Sequence, residues 1–155
     1  MNFIKNMENK LFRKIVPAGV GVLIKNEKNE FLLGRRTVEN GEGFWGTPGG
    51  FIEPGETLEE SGKREVLEET GYKLKEIKFI GTTMIVGKNE SFFDACLLSE
   101  VDSKLLKQVC EIKDIECDEW LWFSKSEIKK LNLWKPAEAI FELYFNKKTY
   151  YEQSE

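Results

Sequence analysis

Six glutamates crowd the stretch from 56 to 69: Glu56, Glu59, Glu60, Glu65, Glu68 and Glu69. At about 100° of rotation per residue in a helix, Glu65, Glu68 and Glu69 share an arc of roughly 100° on one face. The small residues Ser61 and Gly62 lie one turn earlier on the same side. Like charges placed so repel by about a few tenths of a kcal/mol per adjacent pair, a cost that a cation removes. Carboxylate oxygens are hard donors and suit magnesium or manganese. A plainer description also fits. Glu59 with Lys63, Glu60 with Arg64 and Arg64 with Glu68 have the i,i+4 spacing of a solvated helix laced with ion pairs. Charge content alone decides nothing between the two.

Other chemistry is narrowed by what the sequence lacks. It has no histidine, which removes Ser-His and Cys-His nucleophile pairs and histidine-based zinc sites, so a general base has to be a carboxylate, a lysine or a tyrosine. The net charge of −4 argues against binding along a nucleic-acid polymer, which needs a cationic face. It leaves a small phosphorylated ligand open, since a metal ion supplies local positive charge. Three cysteines, Cys96, Cys110 and Cys117, form no C-x-x-C pair, and residues 1–14 hold no apolar signal segment, so reduced thiols in a soluble cytoplasmic protein are expected. The longest uncharged apolar run, Ile15 to Ile24, is too short to span a bilayer.

The order of the residues carries more than their number. From Gly50 the chain reads GFIEPGETLEESGKREVLEETGY. This resembles the Nudix box, G-x(5)-E-x(7)-R-E-U-x-E-E-x-G-U, where U is a bulky aliphatic residue. Gly50, Glu56, Arg64, Glu65, Val66, Glu68, Glu69 and Gly71 all match, and Tyr72 departs from the last U only by being aromatic. Upstream, GVGVLIKNEKNEFLLGRR is similar to the opening hairpin of MutT-type nucleoside triphosphate diphosphatases. Downstream, CDEWLWFSKSEI and LNLWKPAEAI resemble Nudix type 15-like diphosphatases.

The resemblance implies an α/β fold, a Nudix α/β/α sandwich around a central mixed β-sheet, in a single domain over residues 1–155, with an N-terminal arm at 1–14 and the box at 50–72. It implies an enzyme that hydrolyses a phosphoanhydride bond in a small nucleotide, with Mg2+ as cofactor and Mn2+ able to substitute. Glu65 and Glu69 are then the main metal ligands, joined by the Gly49 carbonyl, and Glu68 is a third ligand or the catalytic base. Arg64 holds a neighbouring glutamate such as Glu56. Glu119 and Glu116 are alternative bases, with Glu90 and Glu111 further acids in the region after the box. Arg36 is placed to contact substrate phosphates. Trp45, Phe92, Phe93 and Trp134 either wall a base pocket or pack in the core. A homodimer is common in the family, and no membrane partner is expected.

Subfamily markers sharpen the substrate. No proline occurs between Pro54 and Pro136, where ADP-ribose hydrolases carry one, and no tyrosine between Tyr72 and Tyr144, where dinucleoside polyphosphate hydrolases do. The coenzyme A signature is also missing. A nucleoside triphosphate cut to monophosphate and diphosphate remains. The alternatives are a nucleotide sugar or other diphosphate, and a nucleotide-binding module without hydrolysis.

These residues need elements to hold them. Thr57 with Glu60 forms a capping box and Gly71 a C-terminal cap, which predicts a helix over 57–70. Val16–Ile24 and Phe31–Leu33 read as a hairpin around a polar turn, and 77–86, 91–98 and 119–123 read as further strands. Trp45–Gly55, rich in glycine and proline, reads as tight turns rather than strand, and 101–118 as containing a loop. Ser124 with Glu127 caps a short helix, and Pro136 opens a last one with Ile140, Leu143 and Tyr144 inward.

Overall fold

A computed structural model describes residues 16–38, 41–88, 91–106 and 116–154. The expected arm at 1–14, Cys110, Glu90 and Glu111 lie outside the described residues. Within them the chain runs β1 (Ala18–Asn26), β2 (Phe31–Arg36), β3 (Trp45–Gly46), β4 (Gly49–Phe51), α1 (Leu58–Thr70), β5 (Lys78–Val86), β6 (Ser91–Val101), α2 (Ser103–Leu106), β7 (Cys117–Phe123), α3 (Lys125–Ile128), α4 (Lys135–Phe145) and β8 (Tyr150–Ser154).

Side-chain alternation builds the layers. In β1, Val20, Val22 and Ile24 enter one apolar cluster and Leu23 the other; in β6, Ala95 and Leu97 join the first, Cys96 and Leu98 the second. A sheet apolar on both faces needs two covers. α1 covers the first through Val66, and α4 covers the second through Ile140, Phe141 and Leu143. The strand order is β3-β2-β1-β6-β5-β8, with β4 also paired to β1 and β7 to β2. β1 with β6 and β5 with β8 are parallel and the other pairs antiparallel, so the sheet is mixed and the expected α/β/α sandwich is the observed one.

The hairpin turn is set by Asn26, whose side-chain oxygen accepts from the backbone N–H of Lys28 and of Glu30, both at 2.9 Å. Both capping boxes form as expected: Thr57 Oγ1 accepts from Glu60 N at 3.2 Å while Glu60 Oε2 accepts from Thr57 N at 2.8 Å, and Ser124 and Glu127 repeat the exchange. Gly71 ends α1 at φ 69°, a left-handed cap that glycine takes without strain. Gly62 lets α1 lie close on the sheet, since a Cβ there would stand 2.5 Å from Leu97 Cδ1.

Three expectations change. Trp45–Gly55 is not turns alone, because β3 and β4 lie within it; three glycines meet where Gly21 pairs with Gly49 and Val20 with Gly50, so β4 approaches β1 without side chains to signal a strand. β7 starts at Cys117, two residues ahead of Glu119. β8 has no counterpart in the sequence expectation: it is an edge strand, YYEQS, mostly polar and paired in parallel with β5.

Candidate active site

Arg64 organises the acids of α1. Its Nε donates to Glu56 Oε1 at 2.6 Å and its Nη2 to Glu56 Oε2 at 3.0 Å, a two-pronged pairing suited to a planar guanidinium. Nη1 reaches Glu65 Oε1 at 2.7 Å and Glu68 Oε2 at 3.3 Å, and Nη2 also donates to the Phe51 carbonyl at 3.0 Å. One cation thus ties α1 to Glu56 in the preceding loop and to the end of β4. The guanidinium, with the Glu53 N–H, holds the Glu56 carboxyl down at about 2. Glu56 shifts the proton-free state of Arg64 still further out of reach.

Glu65 and Glu69 sit lower on the helix flank. Glu69 is buried, and its Oε2 accepts from the Gly49 N–H at 3.0 Å. Glu65 lies over Gly50, where an added Cβ would come within 2.5 to 2.7 Å of its carboxylate atoms. Burial pushes the Glu65 carboxyl up, Arg64 opposes this, and Glu68 and Glu116 add to it. Among the described residues no three acid, histidine or cysteine side chains converge as a ready-made metal cage. The reason is local: Glu69 turns to Gly49, while Glu65 and Glu68 turn to Arg64. The donor set itself fits a hard divalent cation. It offers carboxylate oxygens, one raised by burial and by acidic neighbours, beside a backbone cradle that any side chain at 50 would fill.

Glu65 and Glu68 edge a cavity of about 490 Å³ whose other walls come from the opposite face of the sheet. Gly49, Glu65, Glu68, Arg64, Arg36, Glu116, Phe92 and Trp134 all line it. Arg36 stacks its guanidinium 3.8 Å from the centre of the Trp134 ring, with Glu116 3.6 Å from its Nη2. Glu56 and Glu69 support the lining from behind through Arg64 and Gly49. Other expected residues fall elsewhere. Glu119 is paired with Arg35 at 3.3 Å and does not line the cavity. Trp45 packs edge-on to Phe123 at 4.8 Å in the core beneath α4, and Phe93 is exposed beside the inward Phe92. Of the three cysteines, Cys96 and Cys117 are buried and in no disulfide among the described residues. No helix among the described residues is long and apolar enough to cross a membrane.

Asp94, also in the cavity wall, was not among the expected site residues. Its signal in the sequence is a broken alternation: Phe92, Asp94 and Cys96 share one face of β6, and a carboxylate occupies an inward position. No hydrogen-bond or ionic partner for its carboxylate is present among the described residues, and burial alone raises its pKa to about 6. The folded value lies above the roughly 3.9 of an unfolded chain. Stability from this group is therefore fully present below about pH 4 and is lost as pH rises through 6. Asp94→Asn is expected to be more stable than the parent by about 1–2 kcal/mol at pH 8, the gain vanishing toward pH 4. Urea denaturation at several pH values measures it, and a gain that does not depend on pH contradicts it.

A family model for the NUDIX domain matches residues 16–144. The chain is similar to an NAD-capped RNA hydrolase of Schizosaccharomyces pombe, 26% identical over 142 residues that make up 88% of this chain and 36% of that protein. It is also similar to a putative 8-oxo-dGTP diphosphatase of Bacillus subtilis, 44% identical over 54 residues, 35% of this chain and 34% of that one. The matches thus span about a third of the length of these relatives. Among solved structures, a MutT protein from Methanosarcina mazei Go1 is 29% identical with a TM-score of 0.69, over 86% of this chain and 96% of that chain.

Proposed function

The chain belongs to the NUDIX-domain family, and from that membership we propose that it hydrolyses a phosphoanhydride bond in a nucleotide, cutting a nucleoside triphosphate to monophosphate and diphosphate with magnesium bound. The observation that carries this reading is the ordered row of acids around Arg64 at the edge of a nucleotide-sized cavity. Similarity to the B. subtilis diphosphatase favours a triphosphate.

Glu65, Glu69 and the Gly49 carbonyl are the proposed cation ligands. A bound divalent cation neutralises the substrate phosphates and lowers the pKa of an attacking water. Arg64 keeps Glu65 in place, and Glu56 keeps Arg64 in place, so this pair acts through position. Glu68 is exposed and, among the described residues, held only by the long contact to Arg64, which leaves it able to swing and take the proton from water. Glu116 is the second candidate base, on the cavity wall beside Arg36. Arg36, braced by Trp134, meets phosphate charge. Water oxygen bonds to phosphorus, the bridging P–O bond breaks, and its electron pair leaves with the departing phosphate group.

Product analysis tests the reaction. A nucleoside triphosphate incubated with magnesium yields monophosphate and diphosphate; diphosphate with orthophosphate as products contradicts the reading. A second substrate class, a diphosphate bridging two nucleosides as at an NAD-capped RNA end, is favoured by the S. pombe relative, which aligns over 88% of this chain. Comparing kcat/KM on the two classes separates them. Gly50→Ala tests the cradle. Its methyl group displaces the Glu65 carboxylate, and displacement of about 1 Å lowers kcat roughly a hundredfold. Full activity in this variant removes Gly50 and Glu65 from the account.

A further inference from the structure

We propose that Trp134 serves the phosphate end of the nucleotide by fixing Arg36, and that it is a positioning residue rather than a platform for the base. This rests on the reading of the cavity as a nucleotide site with Arg36 facing the phosphates. The two consecutive arginines of β2 have different surroundings. The Arg35 side chain is 45% exposed and pairs with Asp118 and Glu119, whereas that of Arg36 is 10% exposed. A cation so far from water needs a built environment. The Arg36 guanidinium carbon lies over the Trp134 ring, 3.8 Å from its centre, a separation of face-on stacking. Stacking engages the flat face of an arginine, while its N–H donors point outward in the plane, the geometry that binds phosphate oxygens in pairs. Glu116 meets that edge at 3.6 Å, beyond the length of a good hydrogen bond, so a phosphate oxygen displaces it readily.

The chain around this stack is shaped for it. The Trp134 N–H donates to the Trp45 carbonyl at 2.9 Å, and the Trp45 N–H to the Asn132 carbonyl at 2.9 Å, so backbone bonds tie Trp134 to β3. β3 in turn pairs with β2, which carries Arg36. The two side chains meet across Gly46 of β3, where even a methyl group would touch both, at 3.5 Å from Arg36 Cδ and 3.8 Å from Trp134 Cε3. Gly41, between β2 and β3, closes against the same pair. Its φ of 94° suits glycine, and a Cβ there would come within 2.7 Å of Trp134 Cδ1 and 3.1 Å of Arg36 Nε. Two glycines and an anchored ring thus hold the arginine in one place, and less freedom is lost when it meets phosphate. The ring face that carries the guanidinium is closed to a base.

Calorimetric titration of the full chain with the α,β-methylene analogues of ATP and UTP, in magnesium, tests this apart from hydrolysis, because the bridging carbon resists cleavage. Arg36→Ala, Trp134→Leu and the double variant form a cycle. Trp134→Leu is expected to weaken both analogues alike, by about three- to tenfold. Once Arg36 is alanine, the same change shifts affinity by less than about twofold. Trp134→Phe, which keeps a ring against the cation, recovers most of the loss. If the leucine variant does not fold, Trp134→Met carries the cycle. A much larger loss for the purine analogue than for the pyrimidine one, as removal of a base platform would give, overturns the proposal. So does a loss that persists beside Arg36→Ala, full affinity in Arg36→Ala itself, or no binding of either analogue by the wild type. Coupled loss without triphosphate turnover would refute the proposed reaction and leave Trp134 in its role, whereas turnover without coupling would do the reverse.

Discussion

Glu69→Gln is expected to lower turnover by at least about a thousandfold while the protein melts near the wild-type temperature. The two halves follow from different atoms. The glutamine carbonyl still accepts from the Gly49 N–H, the contact through which buried Glu69 fixes β4 to α1. The fold is therefore kept. What disappears is the negative charge proposed to hold the cation, and charge on a hard ligand is the main source of magnesium affinity. The variant should also need more magnesium for half-maximal rate. Steady-state assays across magnesium concentrations with a thermal melt measure both. A variant that keeps its rate removes Glu69 from the metal ligands. One that loses rate together with its cooperative melt shows a scaffold role instead.

The second large effect belongs to Arg64. Arg64→Ala leaves Glu56 without its two-pronged partner and frees Glu65, Glu68 and the Phe51 carbonyl from a common donor. Loss of an outer positioning group of this kind lowers activity by about 10- to 100-fold. Stability falls as well, though by less than loss of a fully buried pair would cost, since the ion pair is only partly shielded from water. Arg64→Lys recovers little of the rate, because one ammonium cannot serve Glu56 twice while reaching Glu65 and Phe51. Near-complete rescue by lysine would mean that bulk charge, rather than the fork geometry, is what α1 requires. The Glu56 carboxyl reports the same contact: held at about 2 chiefly by Arg64, it should titrate higher in the alanine variant, while the Glu53 N–H still keeps it below its ordinary value.

Much of this arrangement was legible in the sequence because it is local. The boundaries of α1 follow from Thr57, Glu60 and Gly71, whose capping chemistry depends on neighbours within four residues. The i,i+4 and i,i+1 contacts of Arg64 with Glu68 and Glu65 are likewise set by helix geometry; of the ion pairs expected along the helix, Glu59 with Lys63 and Arg64 with Glu68 form, while Glu60 turns back to cap Thr57. What sequence did not show depends on pairing between distant segments. β4 contains two glycines in three residues and exists as a strand because β1 brings glycine and backbone to meet it. β8 is polar and finds its place only beside β5. Glu119 stood close in sequence to other candidate acids, but the β2 ladder aligns it with Arg35, away from the cavity. Trp45 and Trp134 were alike as aromatic candidates; contact with Phe123 puts one in the core, and stacking with Arg36 puts the other in the wall. Asp94 needed the sheet most of all, since the register of β6 on β1 sets it opposite Gly19, where no side chain competes for its place.

The most direct measurement is diphosphate release from a panel of nucleoside triphosphates by the purified chain, with magnesium and with the metal chelated. Turnover that requires magnesium and collapses in Glu69→Gln is the predicted result. No hydrolysis of any member of the panel, or of a dinucleoside diphosphate, with magnesium present would contradict the account at its centre.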